Sequence, residues 1–199
     1  MTTSQPQQQR QKGLPDVQRI ITDHDSDGKA VVSTDIPSQA VWQPIGPAAD
    51  FFLGYTTRTF PVVFKDAQDS GIAPLPQDIK TYKEDMVTPP GLTISTGTVL
   101  RYVDMAPNAL SPMHRTVSLD YGIVLEGEIE LVLDSGETRL MKRGDVCIQR
   151  ATNHAWRNVT ANGGWARMVY VLIGAEKVDV GGKSFEEDLG DMPGVRASD

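Results

Sequence analysis

The chain is poor in the residues that mark several common modes of action. Cys147 is the only cysteine, which excludes an internal disulfide framework. It sits in the apolar run Asp145-Val146-Cys147-Ile148, where a buried, unreactive thiol is expected. Lys and Arg form no runs, and the formal net charge is −7. Nucleic acids and anionic membranes both need clustered positive charge, so neither is an expected partner. No apolar stretch approaches the ~20 residues of a membrane span. The first ten residues, Met1 to Arg10, lack the apolar core of a signal peptide, so a soluble, cytoplasmic protein is expected. Gly-x-Gly-x-x-Gly and Walker loops are missing, so no nucleotide-phosphate site can be read. A small neutral or weakly charged ligand suits this balance best.

What is present is a globular composition, with 39% hydrophobic and 23% charged residues in 199, enough for one domain with a sizeable core. The Gln-rich start suggests a disordered tail over residues 1–16, and 182–199 reads as a loosely attached acidic tail. Residues 17–34 read as a hairpin around Asp25-Ser26-Asp27-Gly28, because Asp caps its own turn and Gly accepts positive φ. Prolines crowd residues 36–97, so that stretch is the hardest to assign and long helices are not expected there. From residue 98 an all-β meander sets in. In 128–134, Ile129, Leu131 and Leu133 alternate with Glu128, Glu130 and Val132, giving one apolar face. Gly/Asp turns at 134–137, 143–145 and 162–164 separate the following strands. Short strands at such spacing indicate a sandwich or small barrel, and no internal repeat suggests a second one.

Three histidines exist: His24, His114 and His154. The last two lie in the meander, each at the edge of an expected strand. His24 precedes a turn and reads as exposed. One segment reads Asn108, five residues, His114-Arg115-Thr116, three residues, Asp120, six residues, Gly127; a second reads Gly144, then Gln149-Arg150-Ala151, two residues, His154, three residues, Asn158. This order resembles the two motifs of the cupin superfamily: Gly-x5-His-x-His-x3–4-Glu-x6-Gly, and Gly-x5-Pro-x-Gly-x2-His-x3-Asn. Asn108 replaces Gly, Thr116 replaces the second His, Asp120 replaces Glu, and the second motif is one residue short. The resemblance covers about residues 97–175, with a weaker likeness of 17–35 to the N-terminal hairpin of small single-cupin proteins.

The resemblance implies an all-β fold: one RmlC-like cupin (double-stranded β-helix, or jelly-roll) barrel with an N-terminal β-hairpin extension, the domain spanning 17–181. The family typically binds a divalent metal through three His and one Glu. Carried over, His114, Asp120 and His154 become candidate metal ligands, for iron, zinc or manganese, as well as candidate catalytic residues. Two imidazoles and a carboxylate are the set of non-haem iron oxygenases, and zinc accepts them too. A metal-free pocket stands beside this reading, with His114 and Asp120 as an ion pair and His154 hydrogen-bonded to Asn158. Alternation then places Thr116, Gly122, Trp156 and Asn158 in the substrate pocket. Trp156 either stacks a planar substrate or packs the core, and Gly122 leaves room for a ligand. Arg115 points away, as a surface or dimer-contact residue. Which of Arg101 and Tyr102 faces inward stays open.

The His-Arg-Thr…Asp-Tyr-Gly segment is similar to tailoring proteins of fungal aromatic-polyketide pathways, which are described as oxidoreductases. That implies an enzyme acting on a small hydrophobic or phenolic metabolite in secondary-metabolite biosynthesis. Two alternatives remain. One is a metal-independent dehydratase, isomerase or cyclase using His114 or His154 as general acid/base, with Asp120 orienting the imidazole and raising its pKa. The other is a non-catalytic small-molecule-binding barrel. A homodimer is expected because small barrels often cover edge strands with a second chain, with the 17–34 hairpin and Tyr121, Ile123 and Leu125 as candidate surfaces.

Overall fold

The computed structural model describes residues 12–64 and 76–199. The N-terminal hairpin pairs β1 (Thr22–His24) with β2 (Ala30–Val32). Its turn is held by Asp25, whose Oδ1 accepts the backbone N–H groups of Asp27 and Lys29 at 2.9 Å, with Gly28 at φ 76°. Next come β3 (Gln43–Ile45), β4 (Ala49–Thr57), helix α1 (Gln77–Val87) and β5 (Thr98–Met105). The meander supplies β6 (Ser118–Glu126), β7 (Glu128–Leu133), β8 (Thr138–Lys142), β9 (Val146–Arg150), β10 (His154–Asn158) and β11 (Ala166–Gly174). A last hairpin joins β12 (Val178–Val180) to β13 (Lys183–Phe185).

Two antiparallel sheets make the jelly roll: six strands in the order β3-β4-β5-β11-β6-β9, and three in the order β10-β7-β8. The alternation in β7 buries Ile129 and Leu131 and turns Glu128 and Glu130 toward solvent. They meet Met141 and Trp156 of their own sheet and Met105, Val124 and Met168 of the facing one, so the main core lies between the sheets. Burial of such side chains contributes roughly 1.5–3 kcal/mol each.

Among its described residues, the proline-rich stretch holds one 11-residue helix. Pro76 stands at its N-cap and Pro89 and Pro90 lie beyond its end, so the prolines bracket the helix rather than break it. Ile79 and Tyr82 pack against Ile36, Leu53 and Tyr55, and buried Asp85 accepts hydrogen bonds from Thr56 Oγ1 (2.6 Å) and Arg58 Nη2 (2.5 Å).

Both termini correct the sequence reading where they are described. Residues 1–11 of the expected disordered tail lie outside the described residues, but residues 12–16 are tied down. Lys12 Nζ reaches Asp50 (2.7 Å) and Asp104 (2.8 Å), and Arg167 donates to the Pro15 carbonyl (2.5 Å). The expected loose tail at 182–199 is docked. Arg115 and Asp188 exchange backbone hydrogen bonds, Ser95 N–H donates to Asp199 O, and Asp199 pairs with Arg58 at 2.8 Å. Composition marked this segment as acidic and therefore solvated; its carboxylates instead find cations, Glu186 meeting Lys177 and Asp199 meeting Arg58 and Arg196. Among the described residues, no helix is long and apolar enough to cross a membrane.

Candidate active site

A cavity of about 150 Å³ opens between the sheets. Its walls are mostly apolar: Val103, Met105, Trp156 and Leu172 from the strands, with Ile45 and Pro47 of the β3–β4 hairpin and Met192 and Pro193 of the C-terminal segment. The polar side chains facing it include His114, His154, Asp120, Thr116 and Arg101. An apolar cavity with few convergent polar groups is the usual form of a small-molecule site.

The two histidines are brought together by the backbone. His114 N–H donates to His154 O and His154 N–H to His114 O, both at 2.9 Å, and the ring centroids stand 4.4 Å apart. Nδ1 of His114 lies 2.8 Å from the Pro112 carbonyl, and Nδ1 of His154 lies 2.9 Å from the Thr152 carbonyl. A carbonyl only accepts, so each Nδ1 carries the proton and each Nε2 keeps a lone pair. Burial lowers both pKa values. That of His154 falls to about 3, through desolvation first and the neighbouring imidazole second. Both rings are therefore neutral hydrogen-bond acceptors at neutral pH.

Asp120 does not orient either imidazole, contrary to the sequence-based expectation. Its Oδ1 accepts from Ser118 Oγ at 2.5 Å and its Oδ2 from Thr116 Oγ1 at 3.4 Å. Burial raises its pKa to about 6, with the two hydroxyls opposing the rise. Nor does it form an ion pair with His114; the backbone carbonyls do the orienting, and the upward pull of those hydrogen bonds on the imidazole pKa values is outweighed by burial.

The candidate metal set fits poorly. Among the described residues, no group of three or more His, Cys, Asp or Glu side chains converges to hold an ion. Thr116 stands at the position of the missing ligand, and the Asp120 carboxylate is engaged by two hydroxyls. The two Nε2 lone pairs alone fall short of the three protein ligands a catalytic zinc site uses.

Of the expected pocket residues, Thr116 and Trp156 line the cavity. Trp156 does so while also packing in the core, edge-on to His154 (centroids 5.3 Å apart, 74°) and beside Tyr170 (5.7 Å). Asn158 does not line it. It is buried, its Nδ2 reaches the carbonyls of Met105 (3.1 Å), Ala106 (3.0 Å) and Gly164 (2.9 Å), and its Oδ1 accepts Thr160 N–H (2.9 Å), so it ties three chain segments together and leaves His154 alone. Gly122 makes room for Tyr170 instead of a ligand, since a Cβ there would stand 3.1 Å from that ring. Arg115 points away, as expected, and its Nε donates to Glu186 O (2.8 Å) in the docked C-terminal segment. Cys147 is half-buried, with its thiol pKa raised by burial, and His24 is exposed.

Sequence reasoning left Arg101 undecided against Tyr102, and it missed Tyr170 and the Met192–Pro193 turn as pocket residues. Arg101 shares the strand face of Val99, Val103 and Met105, which is a signal of a kind, while Tyr102 stacks on Phe52 (5.5 Å).

A jelly-roll barrel with paired imidazoles facing an apolar cavity defines a class of small β-barrel proteins that bind or transform small molecules, and comparison with known proteins names it. Residues 101–162 match the family model of the cupin domain. The chain is 46% identical over 181 residues to a phomopsin biosynthesis cluster protein of Diaporthe leptostromiformis, covering 91% of this chain and 88% of the relative. It is 42% identical over 182 residues to a cupin-domain-containing oxidoreductase of Aspergillus ruber, covering 90% and 83%. It is also similar to the crystal structure of an RmlC-like cupin from Shewanella frigidimarina (TM-score 0.41, 12% identity, 69% of this chain and 86% of that one). The chain belongs to the cupin family.

Proposed function

We propose that this protein is a cupin-domain oxidoreductase of fungal secondary metabolism, acting on a small hydrophobic or phenolic metabolite held in the apolar cavity. The oxidoreductase assignment follows the relatives. The observation that carries the protein's own part is the pair of neutral imidazoles whose Nδ1 protons are fixed on backbone carbonyls, leaving two Nε2 acceptors directed away from the backbone in a mostly apolar pocket. Such acceptors bind and align a substrate hydroxyl and draw its hydrogen away from oxygen. An imidazole with a pKa near 3 holds a proton poorly, whereas Asp120, near 6, is matched to take one up close to neutral pH. We therefore assign hydroxyl recognition to His114 and His154 and proton storage to Asp120.

The incomplete ligand set favours one second reading, a redox-neutral isomerase, dehydratase or cyclase using the same residues. Turnover of candidate phenolic metabolites with mass-spectrometric product analysis separates the two. Loss of two hydrogens or gain of oxygen supports the first reading, and an unchanged mass or loss of water supports the second. Elemental analysis of the purified protein tests the donor-set argument; stoichiometric iron, zinc or manganese that survives dialysis would refute it.

The working form is proposed to be a cytoplasmic homodimer. Tyr121, Val146 and Ile148 on the β6–β9 edge and Val31 and Val32 on the N-terminal hairpin are exposed apolar side chains that a second copy would cover. Light scattering at micromolar concentration tests this, a monomeric mass being the contrary result.

A further inference from the structure

Among the described residues, two arginines are almost wholly buried, and they are treated differently. Arg167, 4% exposed, holds Asp104 through Nε (2.6 Å) and Nη2 (2.9 Å). Arg101, 6% exposed, faces the cavity, and among the described residues no carboxylate stands within ion-pair distance of it. Its Nη2 donates to the Gly91 carbonyl at 2.7 Å, and its guanidinium carbon lies 5.3 Å from the centre of the Phe51 ring. Asp120, the acid in the same cavity, is turned to Ser118 and Thr116 instead. Burial is what moves the Arg101 pKa, down to about 10, so the side chain is still a cation at neutral pH. An uncompensated buried charge is costly to a fold, and a guanidinium that spends one of its five N–H donors on Gly91 keeps a whole edge of its fork free.

We propose that Arg101 is the anion-recognition residue of this site and that the substrate is a hydrophobic, ring-bearing molecule with a single carboxylate. The planar fork suits two carboxylate oxygens better than a lone phenolate oxygen. Phe51, Val103 and Leu172, which line the cavity with Arg101, suit the hydrocarbon body, whose reactive end would meet His114 and His154. This assignment rests on the reading of the cavity as the substrate site and adds the substrate's charge to it.

The test uses the full chain, with 2-naphthoate and its neutral counterpart 2-naphthamide as probes in isothermal titration calorimetry. For the unaltered protein, the carboxylate should bind about 10- to 100-fold more tightly than the amide, the range of a charge-assisted hydrogen bond. In Arg101→Gln that preference should collapse to within about twofold while amide affinity stays within about threefold. Thermal melts give a second readout. Arg101→Met should leave the melting temperature of the free protein unchanged or raise it, because a charge without a counterion is removed, and it should abolish the rise that naphthoate causes. A purely structural arginine would show the reverse, a lower melting temperature with no effect on probe selectivity. Equal binding of the two probes, or a carboxylate preference that survives Arg101→Gln, overturns the assignment and leaves the cavity as a substrate site. Binding of neither probe overturns both readings.

Discussion

Asn158 and the two pocket histidines sit on one strand system, yet the structure gives them opposite jobs, and Asn158→Ala separates those jobs. The Asn158 side chain holds the carbonyls of Met105, Ala106 and Gly164 through Nδ2 and receives Thr160 N–H at Oδ1. Truncation removes all four contacts. Nδ2 has only two hydrogens for three acceptors, so at least one bond is shared. Counting about three effective bonds at roughly 1 kcal/mol each, and allowing that some freed backbone groups reach water, the loss should be about 3 kcal/mol. For a domain of this size that is a fall of about 6–12 °C in melting temperature. The assay pairs a thermal melt with turnover, or probe binding, scaled to the folded fraction. The melt should drop and the activity per folded molecule should hold within about twofold, since the residue does not line the cavity. A variant that melts within ~2 °C of the parent but loses turnover would place Asn158 in the site and refute the assignment.

His114→Ala and His154→Ala should show the converse, losing activity by about 10- to 100-fold, the range of a lost substrate hydrogen bond, with the fold retained, as circular dichroism and turnover would record. Ala151 sits at φ 51°, where a Cβ is strained; Ala151→Gly should raise stability by about 0.5–1 kcal/mol, net of glycine's entropy cost, and a lower melting temperature would count against the strain. His154 has a folded pKa near 3 against an ordinary value of 6.5, so its contribution to stability is intact above 6.5 and is lost as pH falls toward 3, by about 1.4 kcal/mol per pH unit inside that window. The difference in melting temperature between the parent and His154→Ala should therefore shrink or reverse on acidification from pH 6.5 to 4, and a constant difference would mean that this ring is not held neutral by burial.

The barrel was legible because its strands obey simple rules: the alternation in 128–134 places Ile129 and Leu131 in the core, and the two motifs carry their spacing even where letters changed. Asn108 replaces glycine at φ 58°, a left-handed position that asparagine tolerates better than most residues. The pairing of His114 with His154 was also legible, as was Thr116 beside Asp120. The rest failed for identifiable reasons. Proline counts cannot tell a helix bracketed by prolines from a loop riddled with them, so α1 was hidden between Pro76 and Pro89. Alternation says that residues share a face, not how far along it a cavity extends; Asn158 shares the face of His154 but lies past the cavity's edge. Gly122 was read for the space it leaves without knowing that Tyr170 fills it. Both faces of β5 bury charged groups, Arg101 on one and Asp104 on the other, so no hydrophobicity argument could have chosen between Arg101 and Tyr102.

The cavity is lined by residues inside the matched family segment and by residues outside it. Both histidines, Asp120 and Arg101 fall inside the matched family segment, residues 101–162. Ile45 and Pro47, and Met192 and Pro193, come from outside it, and Gly46 between the first two lies close enough to the second pair that a Cβ on it would stand 3.9 Å from the Pro193 ring. The C-terminal turn is tied to the His114 segment, since Arg115 and Asp188 exchange backbone hydrogen bonds and a Cβ on Gly190 would stand 2.7 Å from the Met113 carbonyl oxygen, next to the Pro112 carbonyl that fixes the His114 ring. A substitution such as Gly190→Ala, far along the chain from either histidine, would therefore be expected to shift the His114 ring as well as the cavity wall.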